Sequence, residues 1–435
     1  MRRRASLTVC AVVALAATTA FAQLLPSAAP EQVGFSADRL DRIGRILRSE
    51  IEKRKLPGAV ALVARKGRVA YFESFGLRDP ATGAPMRNDT IFRVYSMTKP
   101  FVSVAAMMLL EDGRAVLTDP VSKFLPPLAK LQVSVQKIDP VSGKVTYALV
   151  PAEREMTIQD LLRHTSGLAY GELTANAPVK EAYAKAGLAP SDGLPFDIRR
   201  LTPAEEVERL ATVPLAHQPG TVWEYSLSTD VLGRVVEAIS GMTLGQFLQE
   251  RLFSPLKMSD SGFFVPKDKL ARLAQPSPAD PATGNPIRLI DVTAAPNNDS
   301  GGAGGVSTAA DYLRFAQMLL NGGRLDGVRV LSRSTVALMT ADHLGKLDAV
   351  LTPGELLLGT PGYTFGLGFA IRREAGLAGA PGSPGEYMWG GFAGTYFWID
   401  PKEELIGILM TQAPGALRVY HRKLFKQLVY QAIVD

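Results

Sequence analysis

The chain has 435 residues, 46% of them hydrophobic and 21% charged, a globular composition long enough for a large core in two lobes. Its formal charge of +6 includes Arg2, Arg3 and Arg4, and falls to +3 without them; no basic run with interleaved aromatics is present, so nucleic-acid binding has little support. The single cysteine, Cys10, lies in the N-terminal apolar run, and the chain beyond it therefore excludes disulfides, thiolate metal sites and cysteine nucleophiles.

In chain order, "MRRR", "VCAVVALAATTA" and the small-x-small ending Ala20–Phe21–Ala22 read as a cleaved secretory signal over residues 1–22. The apolar run is too short to span a bilayer, so export to a periplasm or beyond is expected, without a stable membrane anchor. From Ser36, a helix N-cap, "FSADRLDRIGRILRSEIEKRKLPG" places Leu40, Ile43, Leu47 and Ile51 on one face and stops at Pro57–Gly58. "AVALVARKGRVAYFESFG" follows as a hairpin turning at Lys66–Gly67. Helical patterns and long loops then run from about residue 81 to 299, interrupted near 131–150 by an exposed hairpin with its turn at Asp139–Pro140.

After about residue 300 strands return in "YTFGLGFAIR", "EYMWGG", "GTYFWID" and "ELIGILMT". "GGAGG" at 301–305 reads as a flexible turn before a helix starting near Thr308, and residues 373–387 as a mobile Gly/Pro-rich loop. A final helix over about 416–434 shows Leu417, Tyr420, Leu424, Leu428 and Val429 as its apolar side. The economical α/β (α+β) architecture is one mixed or antiparallel sheet built from 23–80 plus 300–435. It is covered by the N- and C-terminal helices, with an all-helical domain (81–299) inserted.

Several chemistries are set aside. His164, His217, His343 and His421 lack metal-binding spacing and read as structural; neither a metal nor a cofactor is expected. No Gly-x-Ser-x-Gly elbow and no phosphate-binding loop is present. Ser-x-x-Lys, which sets a serine one helical turn from a potential proton acceptor, occurs three times. Ser134–Lys137 lies in a strand-like run, where the two side chains diverge, and Ser254–Lys257 has little helix after it. Ser96–Lys99 opens a long apolar helical run, where free N–H groups favour a developing oxyanion. That pattern alone leaves both a nucleophile and a plain N-cap serine open. Tyr225, on a loop ahead of an amphipathic helix, and Trp389–Gly390–Gly391, at a strand, each also fit a packing role. The two glycines would allow a ligand close to the backbone.

Taken together and in this order, "EQVGFSADRL", "SMTKPF", "LTDPVSKFLP", "LLRHTSGL", "PGTVWEYS", "GGAGGVSTAADYLRF" and "FAGTYFWIDP" resemble the serine β-lactamase and penicillin-recognising superfamily. Within it they look like the class C-related family VIII carboxylesterases. The resemblance implies Ser96 as acyl-accepting nucleophile, Lys99 as its proton partner and Tyr225 as the tyrosine of the Tyr-x-Asn motif. It also puts Trp389–Gly390–Gly391 in the place of Lys-Thr-Gly, with the N–H groups of Ser96 and Phe392 as oxyanion hole.

Two departures bear on substrate. Leu227 stands where that motif has its Asn, and Trp389 where the other has its Lys, so neither an amide nor a carboxylate finds its usual partner. An ester of short to medium chain is the expected substrate, with weak β-lactam hydrolysis at most. The alternatives are a class C-type β-lactamase or D-Ala-D-Ala peptidase, an acyltransferase, and, last, a non-catalytic scaffold. The expected mechanism shares the Ser96 proton between Lys99 and Tyr225, the lysine cation lowering the tyrosine pKa. Oligomeric state is not legible.

Overall fold

A computed structural model describes residues 24–189, 194 and 196–435. The expected signal segment, with Cys10, lies outside the described residues. Helix α1 (Ala37–Glu52) begins as anticipated, with Ser36 Oγ accepting the Arg39 N–H, and buries Leu40, Ile43 and Leu47. Strands β1 (Gly58–Arg65) and β2 (Arg68–Asp79) pair around Lys66 and Gly67, whose φ of 53° and 73° supply the two left-handed residues of a type I′ hairpin turn.

The other strands of this sheet are β3 (Ala84–Pro85), β4 (Tyr363–Phe365), β5 (Ala370–Arg372), β6 (Tyr387–Gly390), β7 (Tyr396–Asp400) and β8 (Leu405–Thr411). Their order is β4-β5-β6-β7-β8-β1-β2-β3, and every pairing is antiparallel. The β1–β8 seam, Ala59 opposite Thr411 through Arg65 opposite Leu405, joins the two ends of the chain. Every residue of both strands is buried, as a central sheet seam requires.

Between β3 and β4 the chain forms α2 (Thr98–Glu111), α3 (Ser228–Ser240) and α4 (Ala309–Leu320), with long irregular connections. The interrupting hairpin pairs Gln132–Ile138 with Val145–Pro151. Its tip leaves Ile138, Val141 and Val145 exposed. Helix α5 (Leu417–Tyr430) closes the chain. Phe397 packs on Tyr312 of α4 at 4.8 Å, and the next residue, Trp398, on Phe425 of α5 at 5.5 Å. Successive strand side chains point to opposite faces, so α4 covers one face of the sheet and α5, with α1 beside it, the other. Among the described residues no helix is long and apolar enough to cross a membrane.

Three expectations are corrected. Tyr420 of α5 is exposed, and the buried face carries His421, Arg422, Phe425, Lys426 and Val429. The hydrophobic pattern misplaced that face because its cations are satisfied internally; Lys426 Nζ lies 2.6 Å from the buried Glu386 carboxylate. The 373–387 loop is pinned at its base: Arg372 donates to the carbonyls of Glu374, Ala375 and Ala380. The Gly301–Gly305 run is buried throughout, so it is no exposed flexible turn. A Cβ on Gly301, Gly302 or Gly305 would come within 2.1–2.6 Å of Thr229 O, Asp230 Oδ2 or Thr98 Oγ1, so close packing requires the glycines.

Candidate active site

Ser96 sits in a single 3-10 turn, Tyr95–Met97, that runs directly into α2. Pro100 is the third residue of α2, where an N–H would have no intrahelical acceptor, so the proline is tolerated. Tyr95 has φ 44°, an uncommon conformation for a tyrosine, and is held there from three directions. Thr98 Oγ1 donates to its carbonyl at 2.6 Å, its hydroxyl accepts the Ile290 N–H, and its ring packs on Phe392 at 5.4 Å. The glycine run wraps the same turn: Val94 N–H donates to Gly305 O, and Gly305 N–H to Thr98 Oγ1. The serine is therefore presented by fixed backbone.

Tyr225 donates its hydroxyl hydrogen to Ser96 Oγ at 2.6 Å. Lys99 Nζ lies 3.5 Å from the same oxygen, 3.0 Å from Tyr170 Oη and 2.8 Å from Gly302 O, and 4.6 Å from the centre of the Tyr225 ring. Among the described residues no carboxylate touches the lysine. Asp230 acts at one remove, accepting from Ser300 Oγ and Gly302 N–H. Burial accordingly pulls the Lys99 pKa down to about 7, against a smaller upward pull from Asp230. Burial pushes Tyr225 up, and the Ser96 hydrogen bond offsets only part of that. The expectation of a lysine cation acidifying the tyrosine is thus reversed: the phenol stays protonated and the amine is the group poised near neutrality.

Trp389 and Phe392 line the cavity beside Ser96, together with Leu173, Phe196, Leu356 and Leu357. The cavity measures about 140 Å3. Trp389 packs on Tyr225 at 5.5 Å. Gly390 and Gly391 also border it, but the space their missing side chains leave is taken by protein. A Cβ on Gly390 would lie 2.9 Å from Arg422 Cζ, and one on Gly391 2.3 Å from Val94 O. Leu227 is not brought to this wall. It caps the start of α3 and is 1% exposed within the hydrophobic core, so its apolar side chain packs inward.

Sequence reasoning missed Tyr170, Gly302 and Asp230 around the lysine, and it missed Arg418 and Arg422 on the cavity wall. Arg418 lies over the Phe392 ring at 5.4 Å and bonds to Gly415 O. Trp389 offers no cation in the place of the motif lysine, but these two arginines border the same cavity. The motif "HTSGLAYG" and the glycine run carried a signal for the first group; nothing in the α5 pattern marked the arginines.

His164 lies behind Tyr225, ring to ring at 5.0 Å, with Nδ1 3.2 Å from Ser226 Oγ; burial holds its pKa well below the usual value, so it stays neutral. His217 pairs with Glu224 and His421 with Glu50, while His343 contacts Gln159 and Leu338 O. Among the described residues no group of three or more His, Cys, Asp or Glu is arranged to hold a metal. The two other Ser-x-x-Lys copies lie apart: Ser134 Oγ bonds Asn176 in the hairpin, and Ser254 Oγ accepts from Gln249.

A family model described as Beta-lactamase matches residues 43–429. The chain belongs to the β-lactamase family. Protein Rv1367c of Mycobacterium tuberculosis is 37% identical over 366 residues, covering 82% of this chain and 86% of that protein. Esterase EstB of Burkholderia gladioli is 31% identical over 408 residues, covering 89% and 94%. Among solved structures, EstCE1, described as a hydrolase with promiscuous acyltransferase activity, superimposes with a TM-score of 0.72 at 28% identity, covering 92% of this chain and 99% of that one. The β-lactamase-family protein is a serine enzyme, and its sheet and helices form the β-lactamase fold.

Proposed function

We propose that the protein is an exported carboxylesterase that cleaves short- to medium-chain esters through an acyl-enzyme on Ser96. The observation that carries this reading is the apolar cavity opening on the Ser96–Tyr225–Lys99 cluster, walled by Phe196, Leu356, Trp389 and Phe392. Similarity to EstB and EstCE1 supports it.

In this mechanism neutral Lys99 accepts the Ser96 proton as Oγ attacks the ester carbonyl, while the Tyr225 hydroxyl steadies the developing charge on Oγ. The tetrahedral oxyanion is held by the N–H groups of Ser96 and Phe392. As the C–O bond breaks, the proton held by the lysine is returned to the alcohol oxygen through Tyr225. Water then repeats the sequence in reverse, restoring the serine and releasing the acid.

The test is a series of p-nitrophenyl esters of rising acyl length, run on wild type and Ser96→Ala. Turnover peaking at short to medium chains in wild type and lost in Ser96→Ala is the expected result; undiminished turnover in Ser96→Ala ends the reading. Weak β-lactam hydrolysis is a second activity, supported by Arg418 on the wall, a cation that a β-lactam carboxylate could meet. A chromogenic cephalosporin in the same panel measures it, and a cephalosporin turned over faster than every ester would reverse the order. Adding an alcohol acceptor separates hydrolysis from acyl transfer.

A further inference from the structure

Among the described residues most buried cations are paired with carboxylates, the exceptions besides the one considered below being Lys99 and Arg93, the latter held by the Ile290 and Ala274 carbonyls. Lys426 and Arg372 meet Glu386, Arg65 meets Glu403, and Arg234 meets Glu206 and Glu237. Arg422, one turn before Lys426 on α5 and 2% exposed, departs from that pattern. Its hydrogen-bond acceptors are three backbone carbonyls: Leu357 O at 3.2 Å, Gly391 O at 2.5 Å and Thr395 O at 3.3 Å. The charged neighbour acting on it is Arg418, which makes its burial harder, and burial draws the guanidinium pKa down to about 9. Gly390 is glycine where this side chain passes, since a Cβ there would lie 2.9 Å from Cζ.

The carbonyl that Arg422 grips most closely belongs to the peptide joining Gly391 to Phe392. In a trans peptide the C=O of one residue and the N–H of the next lie in one plane and point in opposite directions. Holding Gly391 O on the α5 side therefore aims the Phe392 N–H the other way, and Phe392 lines the cavity with Ser96. A cationic donor on the carbonyl also polarises that peptide and strengthens its N–H as a donor. The same guanidinium nitrogen reaches Thr395 O, which accepts the Gly391 N–H at 2.8 Å, while Gly394 N–H donates to Gly391 O at 3.0 Å. The whole Gly391–Thr395 turn is thus fastened to α5 by one side chain.

We propose that Arg422 is a positioning residue for the reaction, orienting and polarising the Gly391–Phe392 peptide so that the Phe392 N–H stabilises the oxyanion on the substrate attacked by Ser96. This rests on the acyl-enzyme reading above. It explains why an uncompensated charge is retained behind the site: its benefit appears in the transition state, where negative charge develops on the far side of the peptide it holds.

The test compares wild type, Arg422→Met, Arg422→Lys and Ser96→Ala. It measures kcat and KM for p-nitrophenyl butyrate, the inhibition constant of an alkyl boronic acid, and the melting temperature. The boronate forms a tetrahedral adduct on the serine and so reports binding of the transition-state geometry. In folded Arg422→Met, kcat should fall about 10- to 100-fold with KM nearly unchanged, and boronate affinity should fall by a similar factor. Arg422→Lys keeps the charge without the fork that reaches three carbonyls, and should recover part of the loss. Should Arg422→Met not fold, Arg422→Lys carries the measurement. A folded variant with kcat and boronate affinity within two-fold of wild type overturns the proposal, as does a loss confined to KM. Activity surviving in Ser96→Ala would instead overturn the acyl-enzyme reading itself.

Discussion

Replacing Lys99 by methionine should abolish ester turnover and, at pH 7, make the folded protein more stable. The amine is fully buried, touches no carboxylate among the described residues, and has its pKa lowered from 10.5 to about 7. Between those two values the unfolded chain binds a proton that the folded protein does not, so the lysine lowers stability increasingly as pH falls from above 10.5 to 7. At about 1.4 kcal/mol per pH unit, the penalty is about 4 kcal/mol at pH 7 and about 2 kcal/mol at pH 9. Methionine removes it but leaves Gly302 O and Tyr170 Oη without their donor, a loss of about 1 kcal/mol each. The net expectation is a gain of about 2 kcal/mol at pH 7, closing toward zero at pH 9. Equilibrium urea unfolding of both proteins at the two pH values measures it, because every other titrating group is common to the pair. A Lys99→Met protein whose difference from wild type is the same at both pH values, or moves in the opposite sense, would refute the reasoning.

The same lysine sets the pH–rate profile: kcat/KM should rise through about pH 7 and level off as the amine loses its proton. Asp230→Asn removes the charge that supports the ammonium form and should move that midpoint down; a fall of one pH unit multiplies the reactive fraction at pH 6 by about five. A midpoint that stays put or rises would remove Lys99 as the titrating base. Gly302→Ala should lower kcat/KM by at least about 10-fold, since its Cβ would sit 2.1 Å from Asp230 Oδ2 and displace the lysine's acceptor. Gly376→Ala, with open space around it, is the neutral comparison in the same assay. Tyr225→Phe should slow acylation by about 100-fold or more, seen as a weakened p-nitrophenol burst. Ser134→Ala and Ser254→Ala should keep wild-type kcat, Ser134→Ala losing about 1 kcal/mol of stability with its Asn176 hydrogen bond.

What the sequence made legible follows the range of the interactions involved. The Ser36 cap, the Lys66–Gly67 turn and the strands at both ends are set by neighbours in sequence, and each is written in local residue chemistry. Ser96, Lys99 and Tyr225 are ambiguous singly and gain their roles only from the resemblance that the segments carry together, and the structure gathers their polar atoms within 3.5 Å of one oxygen. Polar groups whose meaning depends on a distant partner stayed hidden. Lys426 reads as a surface residue until Glu386, forty positions away, is placed beside it. Leu227 failed in the other direction: its position in a motif suggested a substrate contact, whereas a helix start turns its side chain into the core. Glycine permits conformational freedom, yet in the 301–305 run the absent side chains instead admit Asp230 and Thr98.

Two cations without carboxylate contacts among the described residues serve this site, Lys99 beside Ser96 and Arg422 on the cavity wall, and their chemistry differs for a physical reason. Burial lowers both pKa values, but a lysine starts low enough that the shift brings it to about 7, where it can take a proton. Arg422 starts higher and, at about 9, keeps its charge at neutral pH. The same desolvation therefore makes a base of one residue and leaves the other a fixed positive donor. Exchanging the two residue types at these positions would supply the wrong group at each: a permanent cation where the serine proton must go, and a single flexible amine where one planar fork now reaches three carbonyls. The site thus depends less on how many charges are buried than on which residue type carries each one.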